Sequence, residues 1–153
     1  MGTDPHARSA PDGLILDPLA QAVSAARHYV RQMLPTLNGE DCRDNAELAV
    51  SELVTNATLH ARTAMRVDVL RTSEGRIRIA VRDGSAMIPQ PRAYGVTATT
   101  GRGLRLVDAV CLDWGVDGVP AADGVGKTVW CEPAPDASVV TSGAWDDVIT
   151  EMA

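Results

Sequence analysis

The chain has no phenylalanine, and aromatic residues make up only 3% of its 153 positions. Val, Leu, Ile and Ala must therefore do the packing. Long apolar runs are missing too, which excludes a membrane-spanning helix, and the opening residues do not read as a signal peptide. Cysteine is scarce. Cys42, Cys111 and Cys131 are odd in number and widely spaced, which suggests neither a disulfide framework nor a zinc knuckle. Basic residues are outnumbered, 14 Lys and Arg against 20 Asp and Glu, for a net charge of −6. That balance argues against direct binding to nucleic acid, where phosphate contacts need a basic patch. A cytoplasmic protein with no membrane partner is the expectation.

What is present fits one folded domain. Hydrophobic content is 45%, and the length leaves room for a real core. Residues 1–13 lack periodicity and are expected to be disordered. Leu14–Leu16 reads as a short strand. Asp17, followed by Pro18, reads as the cap of a helix. That helix carries an apolar stripe of Leu19, Val23, Ala26, Val30, Met33 and Leu34, and Pro35 is expected to stop it. A second helix follows, capped by Asn38 or Asp44. "MRVDVLR" (65–71) and "RIRIAVR" (76–82) alternate apolar and polar residues around "TSEG", the pattern of a hairpin.

Residues 84–100 hold Pro89, Pro91 and Gly95 without a period, so they read as a long loop of the lid or binding kind. A short helix, "LRLVDAV", comes next, and then strands near 111–116 and 127–132. The pattern is α+β, with helices over one face of a mixed, mostly antiparallel sheet. The domain is expected to span 14–133. Residues 134–153 form an acidic tail without Lys or Arg. There Trp145, Val148, Ile149 and Met152 recur at helical spacing, so the tail is either disordered or carries a short amphipathic helix.

Within the second helix, "SELVTNATLHA" (51–61) sets Glu52, Asn56 and His60 at i, i+4 and i+8, stacked along one edge. Ala49, Leu53, Ala57 and Ala61 form the neighbouring edge, small and apolar. The polar edge is either solvent-facing or aimed at a cleft. A helix-end packing role suits His60 better than a ligand role. Elsewhere "AADGVGKT" (121–128) satisfies a relaxed phosphate-loop pattern. That loop needs a following helix, and "VWCEPAP" is β-prone and then broken by proline. The motif is rejected, and Lys127 is read as a surface residue on a strand.

Four segments in order carry more weight: Glu52-x-x-x-Asn56 on a helix, "VRDG" with Asp83 and Gly84, "TGRGL" (100–104), and "GKTVW" (126–130). Together they resemble the GHKL (Bergerat-fold) ATPases. Within them the chain is most similar to the anti-sigma-factor serine kinases of bacteria, in their small single-domain actinobacterial form. The resemblance spans residues 14–133 and implies a two-layer α/β sandwich of the Bergerat type that binds ATP with Mg²⁺. It implies Glu52 as catalytic base and Asn56 as the Mg²⁺ ligand and part of the ATP site. Asp83 would accept a hydrogen bond from the adenine amino group, with Gly84 beside it. Gly101, Arg102, Gly103 and Leu104 would meet the phosphates, and Thr128 would help hold adenine.

The implied activity is transfer of the γ-phosphate to a serine of an anti-sigma-factor antagonist, by a homodimer that also binds a sigma factor or similar client. The sequence departs from the pattern at four places. Ser85 and Met87 stand where two glycines are usual, Leu59 replaces a basic residue, and Thr99 replaces a phosphate-reaching Arg. These changes leave open an alternative, a catalytically weak or inactive nucleotide-dependent protein-binding module.

Overall fold

A computed structural model describes residues 7–10, 13–84, 105–118 and 126–136. Its elements in chain order are β1 (Ala7–Ala10), β2 (Gly13–Leu16), α1 (Ala22–Thr36), α2 (Arg43–Asn56), a π turn (Ala57–Ala61), β3 (Met65–Arg71) and β4 (Ile77–Asp83). A short helix α3 at 105–110, β5 (Cys111–Asp117) and β6 (Lys127–Pro133) complete them. The six strands form one sheet in the order β1-β2-β3-β4-β6-β5. Every pairing among the described residues is antiparallel, so the parallel component expected of a mixed sheet is not found there. The α+β, two-layer character holds.

Alternation explains the sheet. Met65, Val67 and Val69 on β3 and Ile77, Ile79 and Val81 on β4 are buried beneath the helices. The residues between them turn to the other face, because successive strand side chains point to opposite sides. The hairpin closes through Thr72, whose N–H donates to Arg76 O (2.7 Å), and Gly75, which adopts a φ of +85° open to glycine. On the helices the buried residues are small. Ala22, Ala26, Val30 and Leu34 from α1 meet the sheet beside Ala46, Ala49, Val50, Leu53 and Val54 from α2. Burying such a stripe supplies most of a helix's stability in a protein.

Several boundaries differ from expectation. Residues 7–10, expected to be disordered, pair with β2 as an edge strand, since an open strand edge offers backbone partners whatever the local sequence pattern. Asp17 does not cap α1. The chain makes turns through Leu19, and the helix begins at Ala22 behind Gln21. Leu19, placed on the apolar stripe by spacing alone, is consequently exposed. Pro35 sits in the last turn rather than ending it, and α1 closes after Thr36 with Asn38 at positive φ. Arg71 binds that helix end, donating to Leu37 O (2.8 Å) and Asn38 O (2.6 Å), where carbonyls and the negative end of the dipole favour a cation.

Neither Asn38 nor Asp44 caps α2. Its free N–H groups at Asp44 and Asn45 donate instead to the carboxylate of Asp136, at 3.2 and 3.0 Å. Asn45 Nδ2 adds a bond to Ala134 O (2.9 Å). The chain leaving β6 is thereby pinned to the start of α2. Glu47, three residues after Asp44, pairs with Arg31 (3.1 and 2.7 Å) and Arg43 (3.1 Å) instead of the helix start. No helix among the described residues is long and apolar enough to cross a membrane.

Candidate functional site

Glu52 and Asn56 lie one turn apart in the last two turns of α2, both half-buried. Glu52 lines an open groove of about 360 Å³ with Arg27, Asp44, Glu47, Leu48 and Ser51. At Asn56 the α-helix gives way to the π turn, a local widening often met at functional sites. The wider turn breaks the expected i+8 alignment, and His60 is exposed on it rather than packed at the helix end. The apolar edge survives through Ala57, which is buried. Two residues past Asn56, the Thr58 hydroxyl oxygen is buried with no hydrogen-bond partner among the described residues, in a position that ordinarily demands one.

The π turn packs against β4 and leads through Arg62, at φ 55°, into β3. Met65 at the start of β3 stands opposite Asp83 at the end of β4. The Thr63 hydroxyl accepts the Gly84 N–H at 2.8 Å and holds the chain where it leaves Asp83. The helix bearing Asn56 and the strand bearing Asp83 are thus tied to one end of the sandwich.

Asp83 does not stand there by itself. It faces Lys127 across the β4–β6 ladder, and Lys127 Nζ lies 3.1 Å from Oδ1 and 3.0 Å from Oδ2. The side chains are 1% and 6% exposed, so Lys127 is no surface residue. Long charged side chains are almost never this buried unless paired. At the neighbouring position Thr128 stands opposite Arg82. Because side chains alternate, Thr128 lies on the outer face of the sheet, away from Asp83. The reading of Lys127 as a surface residue is therefore corrected: Lys127 is buried and accompanies Asp83. A signal for this was present, since Lys127 shares the period-two row of Val129 and Cys131.

Gly126 explains how the strands come so close. A Cβ there would fall 2.7 Å from the Asp83 carbonyl oxygen. Gly101, Arg102, Gly103 and Leu104 lie outside the described residues, as do Ser85, Met87, Thr99, most of the expected lid and the tail helix. The helix expected after Gly103 is described from residue 105 and buries Val107 and Val110.

Among the described residues no group of three or more His, Cys, Asp or Glu could cage a metal ion. A Mg²⁺ ion that keeps its waters and takes phosphate oxygens does not need a cage, and one amide oxygen such as that of Asn56 suits it. Two of the three thiols are held in their unreactive, protonated form. Burial, foremost, pushes the Cys42 thiol up to about 12, and hydrogen bonding with Cys111 together with burial raises that of Cys131. Both are poor nucleophiles at neutral pH.

On the outer face, Glu132 accepts bonds from Arg78 (3.0 and 2.7 Å) and Arg76 (3.1 Å), and the Arg78 guanidinium lies 4.2 Å from the Trp130 ring centre. This cluster is structural, on the side of the sheet opposite the helices.

A family model described as a histidine kinase-like ATPase domain matches residues 16–130. The chain is 37% identical over 81 residues to an uncharacterized protein of Streptomyces coelicolor, covering 52% of this chain and 68% of that one. Among solved structures it is similar to the histidine kinase domain of a blue-light-activated histidine kinase from Erythrobacter litoralis, at 19% identity and a TM-score of 0.45. That likeness covers 76% of this chain, which spans only 65% of the solved domain's length.

Proposed function

The chain belongs to the histidine kinase-like ATPase domain family, and from that premise we propose that it is an ATP-binding regulator that phosphorylates a protein. The acceptor is a serine of an antagonist protein, and the regulator also binds a sigma factor or similar client, as a homodimer in the cytoplasm. The observation that carries this reading is the placement of Glu52 one turn before Asn56 on α2, at the helix end tied to Asp83. A carboxylate so placed can take the proton of an attacking hydroxyl, the main duty left to a protein in phosphoryl transfer besides positioning and charge stabilisation. Asn56 would hold Mg²⁺, which supplies charge neutralisation at the phosphates when bound. Asp83 would accept the adenine amino group.

The second reading, a nucleotide-dependent protein-binding module without transfer, is favoured by Ser85 and Met87 at positions where the resembling kinases carry glycine. A pull-down from the native cell with and without Mg-ATP, followed by phosphosite mapping, tests both. Transfer predicts a retained protein carrying phosphoserine with wild-type bait and none with Glu52→Gln. Nucleotide-dependent retention without any phosphoserine would replace the kinase by the binding module.

A further inference from the structure

In the reading above an acceptor hydroxyl has to come to Glu52, and Glu52 opens onto the groove that it lines between α1 and α2. The rest of that groove has no duty in that reading. Leu48 precedes Glu52 by one turn of α2 and is 41% exposed. A single exposed leucine is ordinary in itself. This one is the apolar member of a wall that is otherwise polar, directly beside the proposed base.

Arg27 faces it from α1. The Glu47 carboxylate takes hydrogen bonds on both oxygens, from Arg31 at 3.1 and 2.7 Å and from Arg43 at 3.1 Å. Arg27 Nε stands 3.9 Å from the same carboxylate, too far for a hydrogen bond, and its side chain is 50% exposed. Glu47 is thus satisfied without Arg27. The Ser51 hydroxyl, also in the groove, bonds back to Glu47 O at 2.7 Å. Arg27 is therefore the uncommitted donor of the groove among the described residues. Asp44 and Glu52 bring carboxylates of their own to the same groove, so a run of acidic residues would meet like charge there.

We infer that this groove is the docking channel for the acceptor segment, and that it selects a serine with a large aliphatic residue about two positions away and one carboxylate next to that residue. The inference rests on the phosphoryl-transfer reading above. One helical turn, from Glu52 to Leu48, is about 5.4 Å, and an extended segment advances about 3.3 Å per residue, which sets the separation. With the serine hydroxyl at Glu52, the aliphatic side chain covers Leu48. Successive side chains of an extended segment point to opposite sides, so the next residue turns to the facing wall and Arg27.

The test uses fluorescein-labelled peptides built on Ser-Ala-Leu-Asp and, for the opposite chain direction, Asp-Leu-Ala-Ser, in flanks of glycine and alanine. Fluorescence anisotropy reads affinity. For one of the two directions, replacing the peptide's Leu by Gly should weaken binding to wild type about 3- to 10-fold, as expected for partial burial of an aliphatic side chain. Replacing its Asp by Asn should weaken binding about 2- to 5-fold at low salt, the range for an exposed ion pair, and this preference should vanish near 1 M salt. Leu48→Ser should erase the first preference alone and Arg27→Gln the second alone. Arg27→Glu should prefer a peptide with Lys in place of Asp. Both side chains are exposed and the Glu47 bonds remain, so each variant should keep the wild-type unfolding midpoint. No binding, equal affinities of wild type for all the peptides, or preferences that survive the matching variants overturn the inference while transfer stands. Absence of phosphoserine from every protein retained in the Mg-ATP pull-down overturns the kinase reading, and the assignment of the groove to an acceptor with it.

Discussion

Lys127 and Asp83 form a buried ion pair across β4 and β6, with both carboxylate oxygens within 3.1 Å of the ammonium. Removing one member strands the other in the interior, at a cost of about 3–5 kcal/mol. Asp83→Ala and Lys127→Ala should each destabilise the fold by that order in urea denaturation. Replacing both by apolar residues of similar volume should recover most of the loss. If the two single costs simply add in the double variant, the residues are not coupled. Loss of ATP affinity in Asp83→Ala therefore means little until its folding is measured.

Glu52→Gln should leave ATP affinity nearly intact while phosphoryl transfer falls by about 10²–10⁴-fold, the usual effect of a positioned base. Glu52 is half-buried on an open groove, so the isosteric variant should fold normally. Single-turnover assays with labelled ATP make the measurement. Equal rates in variant and wild type would remove Glu52 from the mechanism.

Asn56→Ala should weaken ATP binding more in Mg²⁺ than in EDTA, since its amide oxygen is the proposed metal ligand. The comparison controls for damage at the π turn. A loss of the same size under both conditions would assign Asn56 to helix geometry alone.

Asp136→Ala should cost about 1 kcal/mol, the usual value of a lost helix cap, because the N–H groups of Asp44 and Asn45 lose their carboxylate partner. Amide hydrogen exchange should speed up in the first turn of α2 before it changes elsewhere. Unaltered exchange there would mean that water replaces Asp136 without penalty.

Acid should loosen the joint between α1 and α2. The bonds from Arg31, aided by Arg43, hold the Glu47 carboxyl below its usual value of 4.5 despite its burial. A carboxyl whose native pKa is depressed contributes its stability above the unfolded value and loses it as pH falls through the native one. Glu47→Gln should thus be less stable than wild type at pH 7, and the difference should shrink below about pH 4. Denaturation midpoints at the two pH values decide it; a gap independent of pH would assign the effect to packing.

The sequence by itself determined the α+β class, the hairpin of β3 and β4, the two main helices and the placing of Glu52 one turn before Asn56. These follow from short-range periodicity, which a chain displays wherever one face of an element is buried. The ends of elements and the partners of polar groups were decided only by the tertiary structure. β1 exists because the edge of β2 is open to it, and α2 is capped by Asp136, which lies far along the chain from Asp44 and Asn45. Lysine composition alone placed Lys127 on the surface, because solvation ordinarily keeps an ammonium there. Strand register instead turned it inward opposite Asp83 and turned Thr128 outward opposite Arg82. Which side chain meets a given carboxylate depends on which strands pair and in what register, and that is a long-range contact no local pattern encodes.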